Sequence, residues 1–110
     1  SPHFVVSVEI ANKGETLSET KIQVENELWL AFRNFEMQNE LYKLELENIR
    51  YARENAEVAL AAYRLGTISA IQMNEAQNAY EAAQSRLIES AYNTKVAETA
   101  LMRLNGELIK

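Results

Sequence analysis

The sequence predicts an all-α protein: a long antiparallel α-helical hairpin, a coiled coil, forming one domain over residues 1–110. Three observations carry this expectation. The stretch Tyr63-Arg64-Leu65-Gly66-Thr67-Ile68-Ser69 interrupts an otherwise unbroken run of helix-forming residues. Proline occurs once, at Pro2, and the sixteen acidic residues are all glutamate, which suits helix interiors because aspartate competes for backbone hydrogen bonds. Apolar residues recur every seven positions on both sides of the interruption.

The first helix is expected over about residues 5–64. Phe4, Val6, Val8 and Ile10 alternate as a strand would, but no partner strand exists in the chain, so the segment reads as the start of the helix. The segment Asn12-Lys13-Gly14 allows a kink or break near residues 12–16, with Thr16 and Glu19 placed to form a capping box if the helix restarts there.

Beyond Leu17 the helix carries two heptad stripes. Leu28, Phe35, Tyr42, Ile49, Ala56 and Tyr63 form one; Leu30, Met37, Leu44, Tyr51, Val58 and Leu65 form the other. Offset by two residues at about 100° each, the stripes lie roughly 200° apart on the helix. A two-stranded coiled coil needs only one such seam. Between them stand Arg33, Asn34, Glu40, Glu47, Asn48, Glu54 and Asn55, which would be costly to bury. Two apolar flanks with polar faces between suit a helix in a wall, which has a neighbour on each side.

At the turn, Gly66 is one of three glycines and stands where a helix end needs a residue that accepts positive φ. Residues 65–68 form the tip, and Ser69 is a ready N-cap for the second helix, expected over about residues 69–105. Its seam is Met73, Ala76, Tyr80, Ala83, Leu87, Ser90, Thr94, Ala97, Leu101 and Leu104, rich in small residues that let helix axes approach closely. Ile88, Met102 and Ile109 mark a weaker second flank. Asn105-Gly106 reads as a helix stop, leaving a short tail over residues 106–110. At about 1.5 Å per residue the second helix extends roughly 55 Å and the first, from Leu17, roughly 75 Å, so the first must overhang.

Composition excludes several classes of function. Hydrophobic residues make up 47% and charged residues 25%, so the chain is not disordered by composition. The net charge of −5, with Lys and Arg scattered among glutamates, speaks against nucleic-acid binding. Without cysteine there are no disulfides or thiolate metal sites, and without aspartate and with only His3 the usual Ser-His-Asp and Cys-His arrangements are excluded. His3 reads as a surface residue. Glutamate pairs such as Glu36/Glu40 and Glu54/Glu57 read as solvated helix surface. No enzyme, cofactor or metal site is expected. The longest apolar run, Val58 to Tyr63, is too short to span a bilayer, and no charged-then-apolar leader is read at the start, which says little about export.

Ala62-Tyr63-Arg64-Leu65-Gly66-Thr67-Ile68-Ser69, followed by Ala76-Gln77 and by Leu101-Met102-Arg103-Leu104-Asn105-Gly106-Glu107-Leu108, resembles the last helical hairpin of TolC-family outer-membrane efflux proteins. That pattern is a tyrosine, two residues, glycine, two residues, a serine or threonine, then a helix with an Ala-Gln pair that ends in Leu-x-x-x-Gly. The resemblance covers nearly the whole chain. A full family member is several times longer and includes a β-barrel, so the chain looks like a piece of its C-terminal half.

The resemblance implies a homotrimeric conduit with its β-barrel in the outer membrane and a helical barrel crossing the periplasm, where this segment would lie. Membrane contact would be made only by that barrel. Leu65, Gly66 and Thr67 would be the tip that docks a periplasmic adaptor, or membrane fusion protein, working with an inner-membrane pump. Tyr63 would help to hold the closed entrance, with Gln72 and Glu75 beside it. Family members often carry acidic residues lining the entrance, whereas here Gln72 leaves only Glu75 to supply negative charge. Two alternatives of other classes are a soluble structural coiled coil linking protein partners and a lipid-surface helix pair. Glutamate-rich polar faces disfavour the second.

Overall fold

The computed structural model describes the backbone of residues 2–109 and the side chains of residue 14 and residues 16–109. It is an all-α hairpin. Helix α1 spans Pro2–Arg64 and helix α2 spans Ala70–Ile109, packed along one another in antiparallel sense. The rod measures 95 × 21 × 13 Å, one helix thick and two wide. With 63 residues in α1 against 40 in α2, the first helix overhangs by about 35 Å at 1.5 Å rise per residue.

Both helices run further than their local signals suggest. Phe4 to Ile10 is helical as expected, but no break occurs near residues 12–16, and Thr16 lies within the helix rather than at a restart. An isolated glycine costs a helix only about 1 kcal/mol relative to alanine, too little to end one with strong formers on either side. Gly14 is solvent-exposed, with free space around its Cα. The side chain of His3 lies outside the described residues.

Asn105-Gly106 does not stop α2 either, and the expected tail is helical to Ile109. Packing explains the continuation: Leu108 is half-buried and, with Glu107, lines a groove against Leu17, Thr20, Lys21 and Val24 of α1. Ending the helix at Gly106 would forfeit that contact.

The interface follows the heptads. In α2 the buried residues are Ala76, Ala83, Ser90, Ala97 and Leu104, one per heptad, and the other seam row, Met73, Tyr80, Leu87, Thr94 and Leu101, is half-buried. All ten are the expected seam residues. In α1 the covered stripe is the one through Leu28, Phe35, Tyr42, Ile49 and Ala56, and Ala56 is its buried member.

Two contacts set the register between helices. Thr94 Oγ1 shares its one proton between the carbonyl oxygens of Ser90 in its own helix, at 2.8 Å, and Gln38 across the interface, at 3.0 Å, and Arg86 Nε donates to Glu45 Oε2 at 3.2 Å. Counting three residues on from Thr94–Gln38 places Ala97 level with Phe35, and heptad steps from that layer place Ser90 level with Tyr42 and Ala83 with Ile49. In the alternate layers Tyr80 is level with Ala52 and Met73 with Ala59. In these five layers a large residue meets a small one, an arrangement that lets two helices interdigitate.

Glu45 is the exception in polarity. Its side chain is 15% exposed, and the partly exposed Arg86 guanidinium supplies the charge-assisted bond it needs. The ion pairs Arg33–Glu36, Lys43–Glu40 and Lys95–Glu98 are exposed and within single helices, so they contribute little.

The second stripe of α1 is uncovered. Leu30, Met37, Leu44, Tyr51, Val58 and Leu65 are between 50% and 80% exposed. The expectation of two separate apolar flanks is met: α2 takes one and leaves the other bare.

Candidate functional site

The tip is built by two helix caps set back to back, with residues 65–69 between the helices. Gly66 has φ of 76°, the single positive φ among the described residues. Its N–H donates to Tyr63 O at 3.0 Å, and the Thr67 N–H donates to Ala62 O at 2.9 Å. These are the paired bonds of a Schellman ending, which satisfy carbonyls that the last turn of α1 leaves open. Thr67 Oγ1 adds a bond to the same Ala62 carbonyl at 3.0 Å. A Cβ at Gly66 would meet no atom within 4 Å, so glycine is required there by backbone conformation and not by space.

Three residues on, Ser69 caps α2. Ser69 Oγ accepts from the Gln72 N–H at 3.1 Å, and Gln72 Oε1 accepts from the Ser69 N–H at 3.0 Å. This reciprocal pair is a capping box. Ile68 and Met73, before the cap and at the fourth helical position, are both half-buried, as the two halves of a hydrophobic staple are. Ser69→Ala should therefore cost about 1 kcal/mol of hairpin stability, whereas Gln72→Glu, which keeps the acceptor and puts a negative charge at a helix N-terminus, should cost nothing measurable. Urea unfolding followed by far-UV circular dichroism checks both.

The six residues singled out in the sequence lie in one region but in different roles. Leu65 projects from the turn, 80% exposed, and Gly66 and Thr67 are exposed beside it. Tyr63 ends the covered stripe at the point where α2 has not yet begun, and is itself exposed. Glu75 is exposed one turn into α2. Gln72 is exposed as a residue, but its side-chain oxygen is held by Ser69. Its spacing of three from Ser69 was the available signal for that capping role. Exposed Ile71 extends the apolar surface of the tip from Leu65.

No group of metal-binding residues occurs among the described residues, and no described helix is long and apolar enough to cross a membrane. A second feature, absent from the sequence-based expectations, lies toward the opposite end. Leu28, Trp29, Phe32, Leu101 and Met102, together with Glu25 and Asn105, line an open apolar groove of about 580 Å³. The Arg33 guanidinium sits 5.9 Å from the Trp29 ring, within cation–π range. Comparison with known proteins found no matching family model, no similar curated protein and no similar solved structure.

Proposed function

We propose that the chain is a periplasmic hairpin of a TolC-like trimeric outer-membrane channel for efflux, with its tip docking a periplasmic adaptor. The uncovered second stripe of α1 is the observation that carries this reading: a helix apolar on two nearly opposite flanks belongs between two neighbours, as in a tunnel wall. The tight tip supports it. Two caps hold the turn in one conformation, so Leu65 and Ile71 are presented at little ordering cost to a docking partner.

In this reading the mechanism is passive. The helices form the wall, and docking at the tip shifts packed helices to widen the entrance. Glu75 supplies one negative charge per subunit there, which filters ions and does no catalysis. Because Gln72 is engaged in its cap, it shapes the entrance through the turn and adds no charge.

Leu65→Asp in the full-length protein tests the docking role. Leu65 packs against little in the hairpin, so the channel should assemble in the membrane at normal levels. Placing a carboxylate in an apolar docking contact should cost about 2 kcal/mol, or about thirtyfold in adaptor affinity, with a matching loss of export. Wild-type export from an assembled Leu65→Asp channel would sink the docking assignment and return the hairpin to a soluble coiled-coil interaction module.

A further inference from the structure

We propose that the two broad faces of the hairpin have different destinations in the channel: the face carrying Asn34, Asn48 and Asn55 lines the tunnel, and the face carrying Trp29, Glu36 and Lys43 looks outward. This rests on the channel reading and deepens it, by naming the surface that exported solutes meet.

The direction of the uncovered flank carries the choice. A helix in a flat wall has its two neighbours half a turn apart, and bending the wall into a tube brings them closer than half a turn on the inner side. The two stripes of α1 are not diametrically opposed. At about 100° per residue, one arc between them spans roughly 200° and the other roughly 160°. The short arc holds two rows of residues, Ala31, Gln38, Glu45, Ala52 and Ala59 beside the covered stripe and Asn34, Leu41, Asn48, Asn55 and Ala62 beside the bare one. Every member of the first row is half-buried, and Thr94 and Arg86 of α2 bond to its Gln38 and Glu45. The direction to α2 therefore lies within the short arc, which leaves about 130° from there to the bare flank. That is the inner side of a curved wall, and the asparagine row occupies it.

The two sides also differ in chemistry. Between Trp29 and Arg64 every charged residue of α1 except Glu45 stands on the long arc, Glu36, Lys43, Arg50, Arg53 and Glu57 among them. The asparagine row carries no charge from Asn34 to Ala62. Asn34 and Asn55 are exposed, and Asn48 is half-buried where the row approaches α2. The Asn34 carboxamide oxygen accepts a long bond of 3.4 Å from Gln38 Nε2, which leaves its own N–H groups to water. Carboxamides both donate and accept, so this row offers a passing solute hydrogen bonds without net charge.

Helix α2 completes the face. Leu41 of the asparagine row lines one groove with Arg86, Glu89 and Asn93. Two heptads before Arg86 and Glu89 stand Gln72 and Glu75, the residues that the resemblance to the TolC family sets beside the entrance. Wall curvature, read from α1, and the entrance residues, read from the tip, select the same side of the hairpin. Since Arg86 is paired with Glu45, the net charge of this face between the level of Asn34 and the tip comes from Glu75 and Glu89.

Single cysteines in the full-length protein, in a background without other cysteines, test the two faces in planar bilayers. Asn34→Cys and Asn55→Cys probe the inner face, and Glu36→Cys and Glu57→Cys, exposed at similar heights, probe the outer one. Each variant is treated with a cationic or an anionic methanethiosulfonate, and complete labelling is verified by mass. Labelled Asn34→Cys and Asn55→Cys channels should change conductance in steps, one per subunit. Their reversal potentials in a salt gradient should move in opposite senses with the two reagents. Labelled Glu36→Cys and Glu57→Cys channels should conduct as before. Conducting pores that respond at the glutamate sites, or at none of the four, overturn the choice of face and leave the channel reading standing. A full-length protein that forms no pore overturns the channel reading and this proposal with it.

Discussion

Ala83→Phe is expected to lower hairpin stability by about 2 kcal/mol, a typical cost of inserting a large side chain into a filled seam. Among the described residues Ala83 is the most deeply buried, with no exposed surface, and it lies level with Ile49 in a layer where a small residue on α2 accepts a large one from α1. The phenylalanine has nowhere to go unless the helix axes separate, and separation would also loosen the layers on either side. The register yields a sharper form of the same expectation: Ile49→Ala combined with Ala83→Phe exchanges large and small within the layer and should recover a good part of the loss. Urea denaturation of the single and double variants checks it. Purely additive losses would mean that the two residues do not share a layer, and the register drawn from Thr94–Gln38 and Arg86–Glu45 would be wrong.

Leu104→Ala should cost about 2–3 kcal/mol, the lower part of the range for truncating a buried leucine, because a two-helix rod can relax partly into the gap. Leu104 is the largest of the buried residues among those described, level with Leu28 and beside the groove lined by Trp29, Phe32 and Met102. The effect should be local as well as global. Backbone amides of residues 105–109, which lie beyond the lost contact, should exchange with deuterium much faster in the variant. The control is Leu44→Ala on the uncovered flank, where the hairpin itself should change by no more than about 0.5 kcal/mol at concentrations where the chain is monomeric. Equal losses at Leu44 and Leu104 would contradict the assignment of one flank as covered and the other as bare.

These variants also separate what supports the fold from what supports a function. The covered seam holds α1 to α2 and places Gly66 at the end of the rod. The uncovered flank and the exposed Leu65 and Ile71 add nothing to that packing, and apolar groups kept in water are the features a binding role explains.

Much of this was legible in the sequence because the signals are local. Gly66 followed by Ser69 announces a helix end and a helix start within one turn of chain, and both caps form. The ten-residue seam of α2 could be read from its small residues at heptad spacing, and burial follows it position by position. The candidate tip was legible for the same reason, since Leu65, Gly66 and Thr67 occupy the turn itself. The local reading failed at Gly14 and at Asn105-Gly106. There it weighed a glycine as a stop, although a helix ends at glycine only when the backbone turns left-handed, as it does at Gly66 alone among the described residues. The capping role of Gln72 was legible too, in its spacing of three from Ser69.

By itself, then, the sequence determined two helices, their turn and two apolar flanks on the first, because periodicity and capping depend on residues within a few positions of one another. Only the tertiary structure decided which flank α2 covers. Both flanks of α1 are apolar enough to be buried. The choice rests on fit across the interface, with Phe35, Tyr42 and Ile49 seated against Ala97, Ser90 and Ala83 at a register held by Thr94 and Arg86. That matching of volumes between residues far apart in the chain also carried α2 past Gly106, since Leu108 gains a partner in Val24 that no local signal records.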